Sequence, residues 1–546
     1  MSFRRLLPFA APLLAVALGY LFYTGLFCSD DTRYMAGIQK IVDGRWIDLA
    51  SNAERRLVFL LPAVGSYWLS GQLLDFAIIP YALFYVGLPV LAWLAVRQYG
   101  CWQALLASLA VAMAPLFYLY AGAMLPDVSS AFVSAAMLVL LMHWQRNKLE
   151  SRPNAPWAEL LLGALAMWGI AIKESNAVIA PIPFVVMGVS FMVERWTVRV
   201  WRPILLAGCG AIAFMVAEAI AYKLFSGQWH VGLQNSASSH GFKSYMETQG
   251  RYPLERWSYL VGILDKKTLT ILLVGLAAAV VMLASAVKEK AFSVSSEWVL
   301  PTVFFLWPLI YFSVGTSTFK EYIPPIMQAR YFAPCVFPAI ILIHIALARN
   351  AFFRSPSGGV AIGSALAMFL LVGVGNEYND RGVAYWARAK DSYVLALADV
   401  KASAPGLDVL NAGEESNSEI TRCRALLLRD AGYTVVDGVD YSRLDTPFLL
   451  TGIERKQLGS LKSPLGREIE RRIRLGEWQL GLVGYYFADA DADDRIWWLP
   501  RQAAVAREFR MNPLRFKEKQ FPSGYVPWMK REMHTELYQV TSVEKR

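Results

Sequence analysis

Two adjacent carboxylates follow the first apolar segment of the chain, in the sequence Ser29-Asp30-Asp31-Thr32-Arg33-Tyr34. A carboxylate held against apolar surface is suited to removing a proton from a hydroxyl group. The alternative is a helix cap, because Ser and Asp are common N-cap residues. The two roles are compatible, so Asp30 and Asp31 are candidate catalytic residues.

A third carboxylate, Asp127, follows Leu125-Pro126 and begins another long apolar segment. A helix N-terminus favours an anion, so a plain cap is again the alternative. We predict that Asp127 and the Asp30-Asp31 pair lie at the same face of the membrane, where they could share an acceptor hydroxyl or a divalent cation.

Basic side chains stand at the ends of other apolar segments. Arg330, before Tyr331, is suited to a lipid-borne phosphate, unless it only marks the membrane boundary. Lys173, in the short Lys173-Glu174 loop, either binds an anionic head group or anchors its helix in the interface. Weaker candidates for phosphate binding are Arg55, Arg56, Lys266, Lys267 and Lys320.

Other polar motifs give weaker signals. Glu218 lies inside an apolar segment, which indicates either a functional carboxylate or a hydrogen-bonded packing contact. The acidic run at 489–494 lacks the Gly and the final Glu of an EF-hand, so we interpret it as a solvated loop. The five cysteines show no CxxC spacing, which predicts neither a zinc site nor a disulfide framework.

The elements that carry these residues are predicted to be membrane-spanning helices. The 546-residue chain is 56% hydrophobic and only 18% charged, against about a quarter charged residues in soluble domains. Its apolar segments approach the roughly 20 residues that cross a bilayer, and they lack the period-two alternation of a barrel. The eleven predicted spans are 5–27, 75–96, 102–121, 128–145, 157–172, 175–193, 204–223, 267–287, 298–315, 331–348 and 358–375.

The distribution of Lys and Arg predicts the orientation of these spans. The cations concentrate in short loops on one side, which is therefore predicted to be cytoplasmic, together with the N-terminus. The long loops 28–74, 224–266 and 316–330 and the C-terminal part then lie outside, and we predict a multi-pass protein of a bacterial inner membrane. The formal charge of +10 is attributed to this topology, and no nucleic-acid partner is predicted.

Residues 376–546 have the composition of a soluble domain, and residues 1–375 that of a membrane domain. Strand-like stretches at 407–410, 433–436 and 447–451 and a helical stretch at 418–431 predict a small extracytoplasmic α/β domain. Neither GxGxxG nor GxxxxGK[ST] occurs, so no nucleotide site is predicted there. The predicted fold is thus mainly α, a polytopic helical membrane protein with a C-terminal α/β domain.

Taken in order, these motifs resemble the GT-C superfamily, and within it the family of protein O-mannosyltransferases and the bacterial aminoarabinose transferase. The stretch from Asp30-Asp31-Thr32-Arg33-Tyr34 to Gly44-Arg45-Trp46 is similar to that family's Asp-Glu-x-Arg-Tyr loop, which ends in Gly-x-Trp. Gly65-Ser66-Tyr67-Trp68 resembles the interfacial helix that follows. Asp127, Lys173 and Arg330-Tyr331 stand where the family has its second loop carboxylate, a Thr-Lys pair and an x-Tyr-x-x-Pro entry.

The resemblance covers roughly residues 1–350 and has departures. Asp31 replaces a Glu, and Glu54-Arg55-Arg56 stands where Lys-Pro or His-Pro-Pro is common. The Trp-Trp-Asp-Tyr-Gly motif of oligosaccharyltransferases does not occur in the sequence. The family expectation is therefore strongest for the ordered set of motifs.

The resemblance implies an inverting glycosyltransferase that moves a sugar from a polyprenyl-phosphate donor to an acceptor hydroxyl or phosphate on a protein, lipid or glycan. Asp30 would be the general base, and Asp31 and Asp127 would orient the acceptor or hold a divalent cation, Mg²⁺ or Mn²⁺. Arg330 and Lys173 would bind the donor phosphate, with help from Arg55, Arg56 and Lys320. The substrate-orienting residues implied are Arg33, Tyr34, Glu174 and Tyr331.

Two other function classes stay open from the residues alone. A transporter or flippase would show internal repeats and charges at mid-membrane, and only Glu218 favours it. A polysaccharide ligase or polymerase that uses a polyprenyl-diphosphate donor would also need basic outer loops. The paired carboxylates of the first loop are less expected in such an enzyme.

Overall fold

The computed structural model of this protein describes its helices and strands in separate segments. The residues described are 7–21, 30–46, 49, 52–70, 78–121, 123–193, 198–234, 249–250, 252–289, 296–316, 322–349, 357–358, 408–411, 448–451, 471–472, 474–487 and 534–542. The chain divides into two compact units. The first comprises Met1–Tyr23, Gly37–Gly71 and Phe76–Val374, and the second comprises Thr24–Ala36, Gln72–Asp75 and Gly375–Arg546.

The described part of the first unit is built from helices. In chain order the helices are α1 Leu7–Leu21, α2 Asp30–Val42, α3 Leu57–Ser70, α4 Ile79–Val96, α5 Cys101–Ala112, α6 Pro115–Ala121, α7 Pro126–Leu149, α8 Pro156–Ile172, α9 Ile182–Val193, α10 Val198–Ser226, α11 Pro253–Ile263, α12 Lys266–Lys288, α13 Val299–Val314 and α14 Ala333–Ala348. Short 3-10 turns at Arg97–Tyr99, Glu174–Val178 and Ala329–Phe332 connect some of them. The first residues of α2, up to Ala36, belong to the second unit.

Several of the described helices can cross a membrane. Five are long and apolar enough, at Ile79–Tyr99, Pro126–Leu149, Trp201–Ser226, Lys266–Lys288 and Ala329–Ala348. Five further apolar helical stretches of the described chain are shorter, among them α1, α8 and α13. Helices lie at ten of the eleven predicted positions, while 358–375 lies outside the described residues apart from Gly358. The chain is a mainly helical, multi-pass membrane protein, and the count of eleven crossings stays a prediction.

The single helix predicted over 102–121 is broken. α5 ends at Ala112, α6 begins at Pro115, and their axes differ by 55°. Proline has no N–H to donate and disfavours a helical backbone in the residue before it, which explains the break. The hydroxyl of the buried Tyr85 in α4 donates a hydrogen bond to the carbonyl oxygen of Ala112, so a polar group at the interruption has a partner inside the bundle.

Two described helices form the interior of the bundle: α7, which carries Asp127, and α14, which follows Arg330. α7 and the Ala329–Ala348 span are buried over 72% and 78% of their spanning windows, against 39%, 22% and 33% for the other three long spans. Asp127 lies in the first turn of α7, and Arg330 lies in the 3-10 turn Ala329–Phe332 that leads into α14. Asp127 and Arg330 therefore lie at the ends of the two most buried of the five long spans, where local unfolding is least favourable.

Helices α8 and α10 pack backbone against backbone. A methyl group added to Gly163 would lie 2.6 Å from the carbonyl carbon of Ala207, and one added to Gly210 would lie 2.7 Å from that of Leu160. Real side chains do not approach so closely, so glycine is required at both positions. This contact fixes α8, whose last residue is followed directly by Lys173.

In the described residues of the second unit, four strands form a mixed sheet. Its strands are β1 Asp408–Asn411, β2 Phe448–Thr451, β3 Trp478–Phe487 and β4 His534–Ser542, in the order β1-β2-β4-β3. β1 and β2 are parallel, and the other two pairs are antiparallel. β1 and β2 lie within a residue of predicted strands. The predicted helix 418–431 and the predicted strand 433–436 lie outside the described residues, and β3 and β4 were not predicted. The α/β domain as a whole stays a prediction.

We expect Gly163→Ala and Gly210→Ala to lower the melting temperature of the detergent-solubilised protein. Overpacking typically costs about 1–3 kcal/mol, and here the obstructing atoms belong to backbone that cannot rotate away. Gly208→Ala, also in α10, is the matched control because nothing lies within 4 Å of its added methyl group. Equal melting temperatures for the Gly163 and Gly208 variants would contradict the close helix contact.

Candidate functional site

Asp127 and Lys173 form a buried ion pair. Asp127 lies in the first turn of α7, after Pro126, and Lys173 follows α8 with extended backbone. The Lys173 ammonium donates a hydrogen bond to Oδ1 of Asp127, and 8% and 1% of the two side chains are exposed. Both charges are shielded from water, so removal of one would leave the other unpaired and would strongly destabilise the protein.

One helical turn beyond Asp127, a second polar contact joins α7 to the turn that carries Lys173. The Ser130 hydroxyl donates to Oδ1 of Asn176 at 2.6 Å, and Nδ2 of Asn176 donates to the carbonyl of Gly169 at 3.0 Å. The backbone N–H of Asn176 donates to the carbonyl of Lys173 at 2.9 Å. The lysine backbone is therefore held in place independently of the ion pair.

Arg330 and Tyr331 complete the surroundings of this pair. Nε of Arg330 lies 3.9 Å from Oδ2 of Asp127 and donates to Oε1 of Gln328 at 2.9 Å. Nζ of Lys173 lies 3.9 Å from the centre of the Tyr331 ring, a cation–π distance. Both oxygens of Asp127 thus face cations, and Lys173 lies between a carboxylate and an aromatic face.

A second ion pair lies beside the first. Arg56 donates from Nε to Oε1 of Glu174 at 3.2 Å and pairs through Nη2 with Oε2, and both side chains are largely buried. We call the six residues Asp127, Lys173, Arg330, Tyr331, Arg56 and Glu174 the basic cluster. Its three cations outnumber its two carboxylates by one, so the basic cluster favours an anion.

Lys173 lies between two apolar helices rather than within one. The surroundings of Lys173 change the pKa of its ammonium group. Burial lowers the pKa of the Lys173 ammonium to about 8, and this outweighs the opposing effect of Asp127. The positive charges of Arg330 and Arg56 lower the pKa further. A bound anion would raise it again, because an opposite charge stabilises the ammonium form.

The structure brings together some of the sequence-predicted residues. Asp127, Lys173, Arg330 and Tyr331 meet, and Arg56 and Glu174 pair beside them. Arg55 instead donates from Nε to the carbonyl of Leu49 at 3.0 Å. Tyr34 is buried and Arg33 half-buried on α2, in the second unit. Asp30 and Asp31 begin α2, but their side chains lie outside the described part of the structure, as does Lys320 altogether.

The remaining polar candidates have local partners. Glu218 accepts a hydrogen bond from the backbone N–H of Gly232 at 2.9 Å, which is a packing contact between α10 and the segment after it. Lys267 follows the N-cap residue Asp265, whose carboxylate accepts from the backbone N–H groups of Lys267 and Thr268. Neither residue joins the basic cluster through a described contact.

A metal site is not formed by the residues that the structure describes. Among them, no group of three or more His, Cys, Asp or Glu side chains is placed to hold a metal ion. Asp127 is already balanced by cations of the chain, and the side chain of Asp31 lies outside the described residues. A divalent cation at Asp31 and Asp127 stays a prediction.

Two residues near the basic cluster were missed from the sequence. Arg256 and Gln249 both bind backbone atoms of the segment that leads to Arg330. The spacing of Arg256, Leu260 and Leu264, all buried, could have indicated an arginine on the buried face of an amphipathic helix. No local pattern points to Gln249, because its partner lies 78 residues away.

We expect Asp127→Asn to destabilise the protein more than Lys173→Met. Breaking a buried pair costs about 3–5 kcal/mol, but after loss of the lysine Arg330 still faces Asp127. The double variant should lose less than the sum of the two, because it leaves no unpaired charge of this pair. Thermal unfolding in detergent tests this, with the exposed pair Arg152–Glu150 as a control expected to be worth at most about 1 kcal/mol. Strict additivity of the two single changes would contradict the coupling.

Comparisons with known proteins find similarity only at the level of structure. No protein-family model matches the chain, and no curated protein matches it. The structure of ArnT from Cupriavidus metallidurans bound to undecaprenyl phosphate matches with a TM-score of 0.49 and 15% identity, over 83% of this chain and 94% of that one. The oligosaccharyltransferase of Archaeoglobus fulgidus in its apo form matches with a TM-score of 0.46 and 10% identity, over 88% of this chain and 69% of that one. In structure the chain is thus similar, at low identity and over most of its length, to ArnT and to an oligosaccharyltransferase.

Proposed function

We propose that the protein is an inverting glycosyltransferase of the GT-C type. It would move a sugar from a polyprenyl-phosphate donor to an acceptor hydroxyl or phosphate at the outer face of a bacterial inner membrane. The observation that carries this proposal is the meeting of Asp127, Lys173 and Arg330, which come from three separate helix ends. The order of motifs that resembles the aminoarabinose transferase family supports it.

The position of the basic cluster favours a phosphate attached to a lipid. Its cations lie where apolar helices begin or end, so a bound anion would have hydrocarbon within reach of its tail. Arg330 offers a planar fork that fits phosphate oxygens, and Lys173 offers a point charge. A polyprenyl phosphate combines an anionic head with a chain that dissolves in the bilayer.

The chemistry needs charge neutralisation on the leaving group. As the acceptor oxygen bonds to the anomeric carbon, the bond from that carbon to the phosphate oxygen breaks, and its electron pair stays on the phosphate. Lys173 and Arg330 would stabilise this developing charge, with Arg56 adding to the local potential. Attack from the face opposite the phosphate inverts the anomeric centre.

The acceptor needs a base, which we assign to Asp30. This carboxylate would take the proton of the acceptor hydroxyl as the new bond forms. Asp31 would orient the acceptor, with Arg33 and Tyr34 on the same helix. Because Asp127 balances Lys173, we assign Asp127 first to positioning that lysine.

The proposal predicts covalent transfer in membranes supplied with a panel of polyprenyl-phosphate sugars and protein, lipid and glycan acceptors. Undecaprenyl carriers come first because the ArnT structure contains undecaprenyl phosphate. We expect Asp30→Asn to lower kcat about 10²–10⁴-fold, and Arg330→Gln to lower kcat/KM about 10²–10³-fold. Arg152→Gln is the control, since this exposed cation lies beyond the far end of α7, about 35 Å along the helix from Asp127.

Two outcomes would overturn parts of this proposal. Transfer that is unaffected by Asp30→Asn removes Asp30 from the role of base. Movement of a lipid or solute across the bilayer of proteoliposomes, with no covalent product from any donor, favours a transporter instead.

The affinity for undecaprenyl phosphate should depend on pH through Lys173. Its pKa of about 8 means that the ammonium is charged at lower pH and loses its proton as the pH rises through about 8. Affinity should therefore fall above pH 8, by up to about tenfold per pH unit, because binding then requires uptake of a proton. Binding measured between about pH 6.5 and about pH 9.5 tests this, and Lys173→Arg should remove the dependence because arginine stays charged. The same fall in Lys173→Arg would assign the pH dependence to another group.

A further inference from the structure

The segment 322–328, which leads into Arg330, has no regular secondary structure and no ladder of backbone hydrogen bonds of its own. Pro324 and Pro325 also remove two backbone N–H donors from it. Buried backbone groups need partners, so an irregular segment inside a bundle is held only if side chains supply them. Side chains from α11 and from residue 249 do so here.

Arg256 ties this segment to the end of α13. It is fully buried on α11, and its Nε donates to the carbonyl of Ser313 at 2.6 Å. Its Nη2 donates to the carbonyls of Phe312 at 3.1 Å and Pro325 at 2.7 Å. One guanidinium thus satisfies two carbonyls in the last turn of α13 and one in the segment, and hydrogen bonds from a charged donor are the strong kind.

Gln249 ties the segment two residues further on. Its Nε2 donates to the carbonyl of Met327 at 3.1 Å, and the N–H of Met327 donates back to its Oε1 at 2.8 Å. This two-way pairing imitates a pair of neighbouring strands. The next residue, Gly250, has φ +88°, and an added Cβ there would lie 2.6 Å from Cβ of Glu255, so glycine allows the chain to turn directly from Gln249 toward α11.

We infer that Gln249 and Arg256 are positioning residues for Arg330. Met327 lies three residues before Arg330, and Gln328 accepts the hydrogen bond from Nε of Arg330. The backbone N–H of Tyr331 also donates to the carbonyl of Gln328, at 2.9 Å. Fixing Pro325 and Met327 therefore fixes the point from which Arg330 reaches Asp127 and Tyr331 reaches Lys173.

The effect of these residues on donor binding rests on the proposed function. A charged group displaced by about 1 Å can cost up to about a hundredfold in effectiveness. Gln249 and Arg256 make no described contact with Asp127, Lys173 or Arg330 themselves. Replacing either side chain should therefore change the position of Arg330 and Tyr331 without changing the charge of the basic cluster.

The test compares Gln249→Met, Gln249→Ala and Arg256→Lys in the full-length protein in detergent. Gln249→Met keeps the side-chain volume and removes both hydrogen bonds. It therefore distinguishes the effect of the hydrogen bonds from the effect of side-chain packing. Gln228→Met is the matched control, because Gln228 is exposed in the turn after α10. Backbone hydrogen–deuterium exchange over 326–332, melting temperature, the Kd for undecaprenyl phosphate, and kcat and KM for the donor are measured for each.

We expect faster exchange over 326–332 in both Gln249 variants, with the melting temperature close to that of the wild type. The Kd for undecaprenyl phosphate and the donor KM should rise about ten- to a hundredfold, while kcat at saturating donor changes much less. Gln249→Met should match Gln249→Ala, and Gln228→Met should match the wild type. Arg256→Lys should give an intermediate rise in Kd, since lysine keeps the charge without the fork.

Different results separate this inference from the proposed function. Wild-type protein that does not bind undecaprenyl phosphate contradicts the proposed function, and the exchange experiment still decides the positioning role because it needs no ligand. Exchange over 326–332 that stays at the wild-type rate in Gln249→Met overturns the positioning role. An unchanged Kd in Gln249→Met, in a protein that binds the lipid and exchanges faster at 326–332, overturns it as well.

Discussion

The buried ion pair between Asp127 and Lys173 ties two helix ends into one fixed geometry. Neither charge can leave without stranding the other in a poorly solvated site, so the start of α7 and the end of α8 must stay together. Ser130 and Asn176 add a second link one helical turn away. Other members of the basic cluster contact this pair. Arg330 lies near Oδ2 of Asp127, and the Tyr331 ring lies against the Lys173 ammonium.

At two of the described places where the backbone leaves regular helix, a side chain supplies the hydrogen bonds that the helix would otherwise provide. Tyr85 donates to the carbonyl of Ala112 where α5 stops before Pro115. Arg256 and Gln249 serve the carbonyls and the N–H of the segment before Arg330. A protein in a membrane has little water to satisfy such groups, so each interruption requires dedicated polar partners.

The helices were predictable because crossing a bilayer imposes a length and a composition on each span, and described helices lie at ten of the eleven predicted positions. Asp127, Lys173 and Arg330 were predictable as candidates because each is a charged residue directly beside a long apolar segment. Their mutual contacts were not predictable, since the pairing of Lys173 with Asp127 depends on how α7 and α8 pack.

The break before Pro115 was missed because hydropathy averages over it, and Gln249 was missed because its partner is distant in sequence. The role of Asp30 stays a prediction. β3 and β4 were not predicted, although β2, which pairs with β4, was.

The backbone contact between α8 and α10 has a consequence for how a lipid could reach the basic cluster. With Gly163 and Gly210 pressed against carbonyl groups of the opposite helix, the seam between these helices leaves no width for a hydrocarbon chain. At the level of this contact, an isoprenoid tail could not pass between α8 and α10. The tail of the proposed lipid donor would therefore have to enter between other helices.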